Sequence, residues 1–135
     1  FKNNLKNHCA GSWIFQIDAD ELLHEEFLEY LPQILRDNPE VQLLCLPRIN
    51  TVEGLTQEHI IKWGWNVNEK GWVNFPDVQT RILQNSRKIQ WVGKVHEVIT
   101  GHTSHAILPL EELYCILHHK HIKRQEIQNT LYSMI

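Results

Sequence analysis

The sequence predicts an α/β or α+β fold built on a mixed β-sheet. Two runs, WIFQID (13–18) and VQLLCLPRINTV (41–52), have the continuous apolar character of buried strands. Between them, apolar residues recur at helical spacing in LLHEEFLEYLPQILRDNP (22–39). Further strands are predicted at 78–85, 88–93, 95–101 and 114–119, followed by a helix from about His121 to Tyr132.

Local signals define several of these elements more closely. Pro32 lies inside the first helical pattern and predicts either a kink or a division into two short helices. The segments 78–85 and 88–93 alternate in polarity and are joined by Ser86–Arg87, which predicts a hairpin. Residues 53–76 show no regular pattern and predict a long loop.

The first residues predict a helix that begins before the chain does. Phe1, Leu5 and Cys9 recur at helical spacing up to Gly11, and the first residue is not methionine. We therefore expect this chain to be a piece of a longer protein.

Length and composition indicate one globular domain over residues 1–135. The chain has 42% hydrophobic and 21% charged residues, and 13 basic against 16 acidic residues give a net charge of −3. The chain has no excess of positive charge that would attract nucleic acid. No apolar run reaches the ~20 residues that a membrane span requires. The three cysteines, Cys9, Cys45 and Cys115, are predicted to be reduced core thiols of a cytosolic protein.

A cluster of acids ends the first predicted strand. Asp18, Asp20 and Glu21 follow the apolar WIFQI, and ligands of open α/β sheets lie at the carboxyl ends of strands. Carboxylate oxygens at such an end suit Mg²⁺ or Mn²⁺, which in turn bind diphosphate oxygens. The alternative is a helix start, with Asp20 as the capping residue and the following glutamates favoured by the helix dipole.

Three other groups are candidates for chemistry. Glu97, beside His96 in a predicted strand, is either a general base or a solvent-facing acid. His118 either completes a cation site with the acids or precedes a basic, solvated helix start. The predicted loop contains three tryptophans, Trp63, Trp65 and Trp72. Because aromatic rings pack on sugar rings, these residues form either an acceptor-binding site or a hydrophobic patch.

The order of these groups resembles a known family. WIFQIDADE, then PDVQTRILQNSRKIQWVGKVHEVITG, then ILHHKHIKRQEIQN together resemble the family-2 glycosyltransferases of the GT-A fold. In that family an aspartate-any-aspartate-glutamate turn ends a strand. An arginine-containing strand, a tryptophan-any-glycine-any-valine-histidine-glutamate segment and a late histidine before a polar helix follow it. The nucleotide-binding half that opens such enzymes has no counterpart here, so the resemblance implies a partial, three-layer GT-A-like fold truncated at its N-terminus.

The resemblance implies a role for each matching residue. Asp20, with Asp18 and His118, would hold the divalent cation, Mg²⁺ or Mn²⁺, on the donor diphosphate, and Glu97 would be the catalytic base. The implied donor-binding set is Asp18, Asp20, Glu21, Asp77, Gln79 and Arg81. The implied acceptor-binding set is Trp63, Trp65, Trp72 and His96.

The implied activity is a metal-dependent, inverting transfer of a sugar from a nucleotide-sugar donor to a saccharide or lipid-linked acceptor, as in cell-envelope polysaccharide synthesis. The whole protein would lie in the cytoplasm, either free or associated peripherally with the inner face of the membrane. The fragment alone is expected to be inactive and to self-associate. Two rival readings are a metal-dependent phosphoesterase and a non-catalytic sugar- or protein-binding module.

Overall fold

A computed structural model describes residues 2–93 and 96–134. The fold is α/β, with four helices around a mixed, strongly curled half-barrel sheet. The helices are α1 (Lys2–Asn7), α2 (Glu25–Asp37), α3 (Gln57–Trp63) and α4 (Ile122–Ser133). The strands are β1 (Trp13–Phe15), β2 (Glu21–Leu22), β3 (Leu43–Glu53), β4 (Asp77–Gln84), β5 (Gln90–Val92), β6 (Val98–Thr100), β7 (His105–Ile107) and β8 (Ile116–His121).

The long strand β3 organises the main sheet. It pairs with β4 on one side and with β8 on the other, antiparallel and parallel respectively, and the strand order is β1-β4-β3-β8-β2. The strand β7 also pairs with the start of β3. The mixed sheet and the central position of the 41–52 segment are therefore confirmed, because both directions of pairing meet at β3.

The core follows the alternation of the strands. Leu44 and Leu46 of β3 pack with Ile82, Ile116 and the fully buried Phe27 of α2. Positions two apart on a strand share a face, so Arg48 and Asn50 continue the face on which Leu46 lies. The same face thus changes from apolar core to polar side chains along β3.

Several sequence predictions need correction. The 78–85 segment forms β4 but pairs with β1 and β3, while β5 pairs with β6 in a separate two-stranded sheet, so the predicted β4–β5 hairpin is wrong. The helix α2 runs through Pro32 without dividing. Part of the predicted loop folds as α3, which has a capping box at Thr56 and ends at Gly64 in the left-handed conformation with φ 65°.

Other outcomes are mixed. Helix α4 and strand β8 lie close to their predicted positions. Cys45 and Cys115 are buried free thiols, whereas Cys9 is exposed and does not belong to the core. Among the described helices, none is both long and apolar enough to cross a membrane.

The strand β1 lies at one edge of the main sheet. Within the described residues it pairs on one side only, with β4, and Ile14 opposes Leu83. A groove of about 810 Å³ runs beside it, lined by Trp13 and by the α2 side chains Leu28, Leu31 and Leu35. An edge strand next to apolar side chains favours pairing with another chain.

We expect this 135-residue chain to dimerise through that edge. Ile14→Pro would remove a β1 backbone donor, but Ile14 is buried, so Trp13→Lys at the groove is the better variant. Multi-angle light scattering should show a dimer for the unmodified chain and a shift toward monomer for Trp13→Lys. The control is Glu29→Lys, on the exposed face of α2, which should leave the dimer unchanged. A monomeric unmodified chain would contradict this prediction.

Candidate functional site

The centre of the site is the carboxylate of Glu21, whose side chain is fully buried. Arg81 binds it through two parallel contacts, Nη1 to Oε1 at 2.6 Å and Nη2 to Oε2 at 2.9 Å. Arg48 donates from Nη1 to Oε2 at 2.9 Å, and the Asp18 backbone N–H donates to Oε1 at 2.9 Å. Both carboxylate oxygens are therefore occupied by charge-assisted hydrogen bonds.

These contacts determine the ionisation of Glu21. Burial alone would raise the pKa of this carboxyl group, but the Asp18 N–H bond and the two guanidinium groups outweigh it, so the pKa lies below its ordinary value. A buried charge is tolerated only when it is paired and hydrogen-bonded in this way. Glu21 lies in β2 and α2 begins four residues later, at Glu25, so the alternative in which Asp20 caps a helix is wrong; Glu25 and Glu26 do lie in the first turn of α2, as that alternative also expected.

From Glu21 the network crosses the sheet through Arg48. The Arg48 Nε donates to Asp77 Oδ2 at 2.8 Å, because Arg48 and Asp77 are direct partners in the β3–β4 register. Asn50 and Gln79 also donate to Asp77, each at 2.8 Å. Burial would raise the pKa of Asp77, but the bond from Asn50 and the charge of Arg48 hold it below its ordinary value.

The network ends at Asp20. Asn50 Oδ1 lies 2.8 Å from His118 Nδ1, since Asn50 and His118 are partners in the parallel β3–β8 register. His118 Nε2 lies 3.0 Å from Asp20 Oδ2, and Arg124 Nη2 lies 2.9 Å from the same oxygen. The pKa of Asp20 lies below its ordinary value, because the bond from His118 and the charge of Arg124 outweigh the effect of burial.

The two aspartates of the motif diverge. Asp18 is exposed and approaches Arg81 at 3.5 Å, whereas Asp20 turns toward His118 and Arg124. Within residues 2–93 and 96–134, no three His, Cys, Asp or Glu side chains come together closely enough to hold a metal ion. Asp20 Oδ2 and His118 Nε2 are hydrogen-bonded to each other at 3.0 Å, so an ion bound here would replace that contact. One carboxylate suits Mg²⁺, which keeps several waters and takes its other ligands from substrate phosphates.

Two cavities flank the network. The larger, of about 1110 Å³, is lined by several residues predicted from the sequence, namely Asp18, Gln79, Arg81, His96 and Glu97. The smaller, of about 320 Å³, is lined by others, among them Trp65, Asp77 and His118. The Arg48–Asp77 ion pair joins the two, since Arg48 lines the larger cavity and Asp77 the smaller.

The segment around Glu97 departs from the predicted local structure. His96 and Glu97 precede β6 instead of lying in a strand, and Lys94 and Val95 of the same motif lie outside the described residues. The small β5–β6 sheet is attached to α1 by Asn3, whose side chain exchanges two hydrogen bonds with the Trp91 backbone, at 2.8 and 2.9 Å. Trp91 and Glu97 both line the larger cavity.

The three tryptophans do not gather around Glu97. Trp63 and Trp65 are in contact, with ring centroids 4.7 Å apart, while Trp72 packs against Phe75 at 4.8 Å. Trp63 lies against α4 at a further cavity, together with Glu126. Trp65 thus lies near the His118 end of the site, and an acceptor-binding role for the group stays a prediction.

Sequence reasoning missed Arg48, Asn50 and Arg124. Arg48 and Asn50 lie in an apolar strand whose register with β4 and β8 brings them to Asp77 and His118. A polar residue at every second position after an apolar run was the available signal. Polar atoms of the larger cavity wall were missed too: within the described residues, the Gln16 side-chain amide and the Trp91 indole N–H are buried without a hydrogen-bond partner.

Comparison with models of known protein families finds no match, and no curated protein matches the chain either. The family resemblance therefore rests on the motifs and remains a prediction.

Replacement of Glu21 tests the centre of the site. Glu21→Gln would remove the buried charge that Arg81 and Arg48 share, leaving Arg48 with Asp77 and the buried Arg81 with only Asp18 at 3.5 Å, so we expect the free energy of unfolding at neutral pH to fall by about 3–5 kcal/mol. Because the folded pKa of Glu21 is lowered, its contribution is present above the unfolded pKa and is lost as the pH falls through the folded pKa. Urea denaturation across pH 3 to 7, read by circular dichroism, should therefore show a shallower pH dependence for the variant.

The matched control is Glu69→Gln, an exposed acid in a turn, which should change the unfolding free energy by about 0.5 kcal/mol or less. Equal stability of Glu21→Gln and the unmodified chain would show that the buried ion pairs do not hold the strands together.

Proposed function

We propose that this chain forms the catalytic, metal- and acceptor-side portion of a glycosyltransferase that uses a nucleotide-sugar donor. One observation carries the proposal: segments far apart in the chain converge on the larger cavity. The exposed Asp18 carboxylate, the Gln79 and Arg81 side chains of β4, and the His96–Glu97 pair before β6 all line this cavity. The sequence resemblance attaches a role to each of these five residues.

A second contact supports the donor side. Asp20 and His118 are 98 positions apart in the chain, yet Oδ2 and Nε2 lie 3.0 Å apart. Asp20, with its lowered pKa, stays anionic at neutral pH and so can act as an oxygen ligand. A Mg²⁺ or Mn²⁺ ion that takes the place of this contact, held by Asp20 with His118 beside it, would supply positive charge against the diphosphate of the donor.

Each of these residues then has a role in an inverting displacement at the donor sugar. Glu97 takes the proton of an acceptor hydroxyl, whose oxygen forms a bond to the anomeric carbon of the donor sugar. The bond from that carbon to the diphosphate oxygen breaks, and its electron pair leaves with the nucleoside diphosphate. Gln79 and Arg81 orient the donor sugar in the cavity wall. Glu21 acts on Arg81 as a positioning residue, because both of its carboxylate oxygens are already occupied.

The first test concerns donor binding. Asp20→Ala in the complete protein that carries this chain should abolish the enhancement of nucleoside-diphosphate binding by Mn²⁺, measured by isothermal titration calorimetry with UDP and GDP. Asp37→Ala, an exposed acid at the end of α2, is the control and should keep the enhancement. If Mn²⁺ still enhances nucleoside-diphosphate binding by the Asp20→Ala variant, Asp20 is not a ligand of the cation.

The second test concerns the base. Glu97→Gln keeps the size of the side chain but removes the proton acceptor, so turnover of sugar transfer should fall by about 10² or more while donor affinity is unchanged. Transfer is followed as release of nucleoside diphosphate with a panel of sugar nucleotides and saccharide acceptors. Near-normal turnover by the Glu97→Gln variant would show that another residue is the base. Sugar binding with neither metal dependence nor transfer would instead indicate a binding module.

A further inference from the structure

Exposed apolar side chains gather around the larger cavity. Five such side chains, from different segments of the chain, are each between 40% and 59% exposed and line this cavity, namely Leu5, Ile17, Val78, Val98 and Tyr132. Apolar side chains that are exposed singly are normal on a protein surface. A group of them around one concave site instead marks a place where a ligand or a partner binds.

The apolar lining of this cavity continues a core cluster of the fold. Ile99 of β6 packs against a buried cluster that consists of Ile14, Leu43, Leu83 and Ile89. Ile14 and Ile99 also line the cavity. An apolar group in the cavity would therefore contact side chains that are anchored in the core, and its own apolar surface would be removed from water.

Polar residues of the site are direct chain neighbours of these apolar residues. Ile17 precedes Asp18 and Val98 follows Glu97, and all four residues line the cavity. Aliphatic side chains form no hydrogen bonds with hydroxyl groups, so they do not match the polar groups of a saccharide. The cavity volume of about 1110 Å³ exceeds the roughly 1,000 Å³ at the upper end for ligand pockets. The cavity therefore has room for a sugar together with an apolar group.

We infer that the acceptor is amphipathic: the hydroxyl group that reaches Glu97 belongs to a saccharide joined to an alkyl chain, and this chain lies against Leu5, Val78 and Val98. The sequence resemblance leaves a free saccharide and a lipid-linked acceptor equally open. A free saccharide would leave the aliphatic side chains in water, so the lining favours the second. The identity of the bound molecule as the acceptor rests on the proposed function, whereas binding of an alkyl chain by this cavity does not.

The test compares the binding of methyl and butyl β-glucopyranoside to the 135-residue chain, measured by ligand-observed NMR titration. Each CH₂ group that is buried strengthens binding by about fourfold, so butyl glucoside should bind at least about tenfold more tightly than methyl glucoside. Val98→Thr keeps the shape of the side chain but replaces a methyl group by a hydroxyl group, so it should reduce this preference by about threefold. Val98→Ile, which remains apolar, should retain the preference.

The matched control is Ile107→Thr. Ile107 is 55% exposed, against 59% for Val98, and it also lies in a strand. Its strand, β7, pairs with β3 on the side away from β4, and Ile107 does not line the cavity. The variant should therefore keep the preference for the butyl glucoside.

Equal affinity of the unmodified chain for the two glucosides would overturn the inference, and this comparison needs no variant to fold. An equal loss of preference in Val98→Thr and Ile107→Thr would also overturn it, because the alkyl chain would then bind elsewhere. If light scattering shows that Val98→Thr converts a dimer into a monomer, a second copy of the chain covers these side chains and the inference fails.

The complete protein separates this inference from the proposed function. Sugar transfer to methyl and butyl glycosides with equal efficiency would refute the amphipathic acceptor and leave the transferase standing. Preferential binding of butyl glycosides that depends on Val98, without transfer to glycosides of any of several sugars, would refute the proposed function and leave the apolar site standing.

Discussion

The arrangement of the strands depends on one buried negative charge. Glu21 is buried at the sheet, and a carboxylate there is stable only if cations reach it from their own strands. Arg48 comes from β3 and Arg81 from β4, so a shift in the register of either strand would remove a partner. Buried ion pairs of this kind contribute less to stability than to specifying a single arrangement, because desolvation offsets much of the attraction. Here they link the short strand β2 to the centre of the sheet.

The same ion pairs connect the two cavities. From Arg81 the contacts run through Glu21, Arg48, Asp77, Asn50 and His118 to Asp20, and each of these links joins side chains in hydrogen-bonding distance. Charges alternate along most of this path, so each group is held between partners of opposite sign or by an amide. Such a fully satisfied network holds its side chains in fixed positions before any ligand binds. Pre-organisation of this type is what the proposed positioning of a sugar nucleotide would require.

Helices and strands with a strong apolar pattern could be predicted from the sequence, whereas the pairing of the strands could not. The apolar run of β3 and the pattern of α4 predicted their elements because burial of those side chains demands one conformation. The β4–β5 hairpin was wrong because Ile82 and Leu83 bury both faces of β4, which places that strand between β1 and β3. Asp20 and His118 were expected to meet, and they do; the Arg48–Asp77 pair depends on a register that neither strand encodes alone. Helix α3 was missed because its cap uses Thr56 and His59, not the usual glutamate at the third position.

The small β5–β6 sheet, whose second strand follows Glu97, is hydrogen-bonded to helix α1 in an unusual way. The amide of Asn3 in α1 donates to and accepts from the Trp91 backbone, as a neighbouring strand would. Lys6 of the same helix binds the carbonyl of Ser86 at 2.8 Å, just before the β5–β6 sheet. The Asn3 side chain thus makes the hydrogen bonds that a neighbouring strand would make, while Ile89 and Ile99 pack against Ile14, Leu43 and Leu83 of the main sheet. Helix α1 and the main sheet therefore share the task of positioning the small sheet, so residues at the start of the chain bear on a cavity whose other lining comes from β4 and from the residues before β6.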